Sequence, residues 1–268
     1  MTPERVGETT ILRAIIGSTA HGLHVEGADD RDEMGVCVED IEFVAGLWNF
    51  EQYIYRTAHD RTGDRHAKSE PGDLDLTIYG LRKYLRLALD GNPTILNLLF
   101  VPPAQCACRL ARGAQLQELA PLIVSRKAAW RYLGYLTAQR QRLTGERGQK
   151  RVKRSGLEEE FGFDTKYAMH MLRLGYQGIE LLETGRVSLP MCEPERNYLR
   201  GVRIGLVSLQ DCLTRAGELE THLRDLGEGA SPLPNRPNFS EVEQWAVSVY
   251  LENWKAREFD REGRESRA

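Results

Sequence analysis

The stretch "IIGSTAHGLHVEGADDRDEMGVCVED", residues 15–40, decides how the rest of the chain is read. An apolar run ends at Gly17-Ser18, residues 19–29 intervene, and Asp30-Arg31-Asp32 leads into a second apolar run. TTILRAIIG (9–17) reads as a β-strand entering a tight turn, and EMGVCVED (33–40) as another strand. Alternate residues of a strand share a face, so Asp30 and Asp32 would present two carboxylates side by side. Like charges that close raise each other's pKa, and a divalent cation relieves them. Mg²⁺ takes oxygen ligands and leaves positions for water and substrate phosphates.

Two-ion phosphoryl-transfer sites need one more acid, often from a neighbouring strand. DLDLTI (73–78) alternates like a strand and offers Asp75, with Asp73 on the same face as a second choice. The Gly17-Ser18 turn would present backbone N–H groups and a hydroxyl to an anion such as a triphosphate. A lone D-x-D is most often a solvated turn or strand edge, and Gly-Ser turns are commoner still. Strand, Gly-Ser, fixed spacing, D-x-D and a later strand acid form a far more specific combination.

Composition sets the wider frame. The chain has 268 residues, 41% hydrophobic and 28% charged, enough to bury a core without disulfides or a structural metal. A net charge of −3 does not announce a nucleic-acid binder. The polar N-terminus shows no signal peptide, and no apolar window reaches membrane-spanning length. Five scattered cysteines without a C-x-x-C pair fit a reducing cytoplasm, and Cys106-x-Cys108 is a poor zinc motif.

The expected fold class is α+β: a mixed sheet with flanking helices, then an all-helical C-terminal portion. The division runs 1–108, 109–258 and a disordered tail, 259–268. FVAGLWNFEQYIYR (43–56) has no clean period, and polar residues 57–73 read as a loop. A helix is expected from Tyr79 to Gly91-Asn92-Pro93, and another from an Asp164 N-cap to Gly185. Further helices are expected within 128–143, 208–227 and 239–258.

Lys166, His170, Arg173 and Gln177 recur at helical spacing and share one face of an otherwise apolar helix. Such a narrow stripe reads equally as a phosphate-contacting face or as a solvated edge with a core histidine. Residues 140–154 carry seven Lys/Arg and one Glu. Arg140, Arg142, Lys150, Arg151, Lys153 and Arg154 there are either a solvated run or a surface that steers RNA. Lys83 and Arg82 follow the Asp75 strand and could reach a triphosphate or simply face solvent. His21 and His24 read as loop residues near the phosphates.

"GSTAHGLHVEGADDRDEMGV" (17–36), "YGLRKYLRLALDGNPTILNLLF" (79–100) and "FGFDTKYAMHMLRLGYQGIELLETGRVSLP" (161–190) together resemble the RNA-ligase-associated (RlaP-type) nucleotidyltransferases of the DNA polymerase β superfamily. The resemblance implies Asp30 and Asp32 as a first metal pair and Asp75 as the third acid, holding two Mg²⁺ (or Mn²⁺) ions. It implies a phosphate-binding Gly17-Ser18 turn and an NTP as substrate, with the choice of nucleotide left open, and shifts the Lys166–His170–Arg173 face toward a functional reading. RNA is the expected acceptor, with an RNA ligase as a pathway partner. Transfer to a protein or small molecule, or nucleotide or RNA binding without turnover, are the alternatives. One departure stands out: Arg31 and Glu33 flank the acids where the superfamily usually has apolar residues.

Overall fold

Strands alternate with helices along the first half because the hydrophobic period changes from two to 3.6 and back. The computed structural model describes residues 1–25, 29–64, 66–146 and 155–265, with side chains for all of these but 155 and 257–265. The elements run α1 (Pro3–Thr9), β1 (Thr10–Ile15), α2 (Gly17–His21), β2 (Arg31–Cys37), α3 (Ile41–Val44) and β3 (Gln52–Arg56). Next come α4 (Thr57–Thr62), β4 (Leu74–Gly80), α5 (Leu81–Leu89), α6 (Pro93–Phe100) and β5 (Cys106–Arg109). The remainder is helical: α7 (Ala111–Glu118), α8 (Ala120–Ile123), α9 (Lys127–Leu143), α10 (Ser155–Phe161), α11 (Thr165–Thr184), α12 (Glu195–Arg203), α13 (Leu209–Asp225) and α14 (Phe239–Glu265). This is the α+β class expected: a mixed sheet followed by helices.

The five strands lie in the order β3-β4-β2-β1-β5, with β2 and β4 parallel and the other pairs antiparallel. Parallel pairing sets Asp32 directly opposite Asp75. Opposite residues share a face, so Asp32, Met34 and Val36 point with Asp75 toward the helices, and Met34 and Val36 join the main core. The other face carries a smaller cluster of Val6, Cys37, Leu76 and Ile78. The two flanking charges also lie on that other face. Glu33 has no exposed side-chain surface and is held by Arg13 and by Arg31 at 2.5 Å. A buried Glu33 held by two partly exposed arginines therefore stands where the superfamily usually has apolar flanks.

The long helix α11 is specified at both ends. Asp164 accepts a hydrogen bond from the Tyr167 N–H at 2.9 Å, and Gly185 ends the helix at φ 75°. Its middle is nearly all buried, and Gly175 and Gly178 let neighbours come close. A Cβ on Gly178 would sit 2.8 Å from both Tyr132 of α9 and Leu223 of α13. Three helices thus pack against one another through a surface stripped of side chain.

Two expectations change. Residues 57–73 are not all loop, because 57–62 form α4. Ala58 is fully buried, and Arg61 reaches across to Asp73 at 3.1 Å and Glu70 at 3.1 Å, which ties this polar segment to the start of β4. At the other end, α14 runs on to Glu265, into the segment read as a disordered tail. That helix returns to the sheet: the Tyr250 hydroxyl donates to Glu39 at 2.7 Å, and the Trp254 indole N–H donates to the Glu39 carbonyl at 3.1 Å.

Candidate active site

β1 delivers the chain into α2 through Gly17, whose φ of 67° is left-handed. A Cβ at this position would overlap the Asp32 carboxylate, so only glycine lets the turn lie against the acid. The Ile16 N–H donates to the Asp32 carbonyl at 2.9 Å and fixes the turn to β2. Asp30, just ahead of β2, then joins Asp32 and Asp75, with one carboxylate oxygen from each lying within 4.8 Å of the others.

The cluster is electrostatically uncomfortable by itself. Burial, then the charges of Asp30 and Asp75, push the Asp32 carboxyl up to about 6, against the pull of Lys166 and Arg173. Asp75 is partly compensated by the Arg56 guanidinium at 3.2 Å and by the Ser69 hydroxyl, which donates at 2.9 Å. An all-oxygen donor set with an uncompensated carboxylate suits a hard divalent cation. Asp73, the second choice for the third acid, is engaged elsewhere: Arg61 grips both its oxygens and the Glu70 N–H donates to it at 2.8 Å.

A cleft of about 440 Å³ opens beside the acids, lined by Gly17, Ser18, Asp30 and Asp32 on one side and Lys166, His170 and Arg173 on the other. The stripe on α11 is therefore a wall of this cleft. Lys166 Nζ meets Asp29 at 2.6 Å. Arg173 donates to His170 Nδ1 at 2.7 Å and contacts His21 Nε2, while the Gln177 amide lies 3.0 Å from His21 Nδ1. Burial, then Arg173 and His170, hold His21 well below the usual imidazole range, so it is neutral. Burial lowers the Arg173 guanidinium to about 10, which still leaves it charged at neutral pH.

Asp29 was not among the residues read from the sequence. Its side chain is only 4% exposed, and it accepts from Lys166, from the Val25 N–H at 2.9 Å and from the Ser18 hydroxyl at 3.4 Å. Burial opposes its ionisation, but Lys166, the Val25 N–H and Arg203 together hold it below the usual carboxylate range. It pins the Gly-Ser turn, the following loop and α11 to one point. Tandem aspartates in a polar loop give no sign of this, because the partner lysine lies 137 residues away.

Other expected residues fall elsewhere. Lys83 does not line the cleft; it pairs with Glu51 at 2.6 Å. The reason is the length of β4, whose five-residue rise from Asp75 to Gly80 is about 17 Å, so α5 begins at the far end of the strand. Arg140 pairs with Glu220 of α13 at 3.0 Å, Arg142 is half-buried outside the cleft lining, and His24 is exposed. Lys150, Arg151, Lys153 and Arg154 lie outside the described residues. The Cys106 and Cys108 thiols donate to the Pro102 and Thr10 carbonyls and join no metal-binding cluster among the described residues.

The chain belongs to the RNA repair pathway DNA polymerase beta family, RlaP, which it matches over residues 3–214. That places it in the nucleotidyltransferase superfamily. Among solved structures it is similar to a nucleotidyltransferase-like protein from Exiguobacterium sibiricum, at 10% identity and a TM-score of 0.28, over 82% of this chain and 69% of that one. No curated protein matches it.

Proposed function

We propose that this chain moves a nucleoside monophosphate from an NTP to the hydroxyl of an RNA acceptor, using divalent metal held by Asp30, Asp32 and Asp75. The observation that carries this reading is the convergence of those three carboxylates on one another, two of them, Asp30 and Asp32, lining one cleft with the Gly-Ser turn and the cations of α11. Mg²⁺ or Mn²⁺ bound to the carboxylates would neutralise phosphate charge and lower the pKa of the acceptor hydroxyl.

The chain's own groups do the rest. Gly17 and Ser18 meet the β- and γ-phosphates with backbone N–H groups and a hydroxyl. Lys166 and Arg173 balance the negative charge that builds on the leaving pyrophosphate, and His170, already hydrogen-bonded to Arg173, fixes that guanidinium. The acceptor oxygen bonds to the α-phosphorus, the bond to the β-phosphate oxygen breaks, and the hydroxyl proton leaves to solvent. Positioning and charge stabilisation supply most of the acceleration in such transfers. The family's assignment to RNA repair favours RNA as acceptor and an RNA ligase acting in the same pathway. Incubation with each α-labelled NTP, Mg²⁺ or Mn²⁺ and mixed short RNAs tests the proposal. Label moving onto RNA is expected; NTP binding with no RNA labelled would remove RNA as the acceptor.

A further inference from the structure

The cleft has further lining groups that the phosphate chemistry does not use. Besides the charged groups its walls carry the apolar Leu23, Tyr167 and Met169 and two amides, Asn97 of α6 and Gln139 of α9. Asn97 is only 5% exposed, and neither its Oδ1 nor the Gln139 Oε1 has a hydrogen-bond partner. Folded interiors pair nearly all such atoms, so two orphaned amide oxygens from different helices on one cleft point to a ligand that completes them. Apolar walls with a few convergent polar groups are the usual make-up of a small-molecule site, and the volume suits one such ligand.

We propose that Asn97 and Gln139 read the base of the nucleoside triphosphate, and that this base is adenine. The assignment rests on the reading of the acid end as a triphosphate site. With phosphates between Gly17-Ser18 and Lys166, the base of the same molecule falls among the apolar side chains and amides of the same cleft. A side-chain amide presents a donor and an acceptor side by side. The two orphaned oxygens can each accept one hydrogen of adenine's N6 amino group, while the amide N–H groups beside them answer the ring nitrogens N7 and N1 on either side; guanine and uracil carry an acceptor at that position, and cytosine's amino group has a ring nitrogen on one side only. Tyr167 and the aliphatic walls would flank the ring faces.

The test is equilibrium binding of ATP, GTP, CTP, UTP and inorganic triphosphate, each with Mg²⁺, to the full chain and to Asn97→Ala and Gln139→Ala. The intact chain should prefer ATP over the other three by roughly 10-fold or more, and each variant should flatten that preference. Triphosphate should bind all three proteins alike, which also shows that the variants fold; Gln139, less buried than Asn97, guards against loss of folding in the first variant. Variants that keep the full ATP preference, or an intact chain that favours another base, would overturn the assignment. Equal binding of all four NTPs beside normal triphosphate binding removes the base reading alone. Failure of NTPs and triphosphate together removes the nucleotidyl-transfer reading as well. A short RNA ending in adenosine whose affinity, without NTP, drops in Asn97→Ala would place the amides on the acceptor and overturn the assignment to the NTP.

Discussion

Asp32 is the residue at which the proposed metal site is set against stability. Its carboxyl, raised from 3.8 to about 6, prefers the proton in the folded chain. The folded pKa lies above the unfolded one, so the contribution of Asp32 to stability is fully present below the unfolded value of 3.8 and is lost as pH rises from there through about 6. Asp32→Asn should therefore raise the melting temperature of metal-free protein at pH 8, by an amount worth at most ~3 kcal/mol. The gap should close as pH drops below 4, read by thermal melts of both proteins across pH. A variant less stable than the parent at pH 8 would mean the three acids do not repel as described. Gly17→Ala is the companion case, where the added methyl must displace the Asp32 carboxylate. Turnover is expected to fall by at least ~100-fold, since a small misplacement at a reacting centre is enough for that loss.

Legibility at this scale depended on whether a residue's partner is near in sequence. The D-x-D spacing and the later strand acid follow from a period of two, so Asp30, Asp32 and Asp75 could be read directly. Choosing between Asp73 and Asp75 needed the register of β4 against β2 and the reach of Arg61, neither of which spacing supplies. His21 looked like a loop residue because its partners, Arg173 and Gln177, are more than 150 residues away.

At the scale of elements, α11 was legible because its caps and its period agree. β3 was not: its Tyr-Ile-Tyr core lies at the sheet edge with mixed burial, so it shows no clean alternation. α4 was hidden by polar composition. Close helix packing gives a further test, because Gly178→Val would drive a side chain into Tyr132 and Leu223. Overpacking of this kind costs about 1–3 kcal/mol, and chemical denaturation should show that loss with an unchanged slope. Lys83 supplies the opposite expectation. Lying at the far end of β4, Lys83→Ala should keep turnover within about twofold, since it touches none of the reacting groups. A tenfold loss would return it to the cleft.

Over the whole molecule, the helical half closes the site and the last helix ties the ends together. α6, α9 and α11 all line the cleft, opposite the Gly17-Ser18 turn and Asp32 of β2. α14 lies beyond the matched family region, yet Tyr250 donates to Glu39, which sits at the end of the segment leaving β2. Burial raises the Glu39 carboxyl above its usual range, and the Tyr250 and Leu81 donors offset part of that rise. Tyr250→Phe should destabilise the chain by about 1–3 kcal/mol, by removing a bond to a buried carboxylate, while leaving NTP affinity unchanged. Thermal melts and NTP titration on the same sample separate the two effects. The helical content of this half was plain from sequence, but its placement over the acids was not, because a helix period fixes which face is apolar and says nothing of which partner it covers.

The most direct test of the site is pyrophosphate release with labelled NTP, divalent metal and RNA, run side by side on the intact chain, Asp32→Asn and Asp73→Asn. Loss of at least ~1000-fold in Asp32→Asn, with Asp73→Asn remaining within about tenfold of the intact chain, is expected if Asp30, Asp32 and Asp75 hold the metal. Full turnover in Asp32→Asn, or an equal collapse in a folded Asp73→Asn, would contradict it.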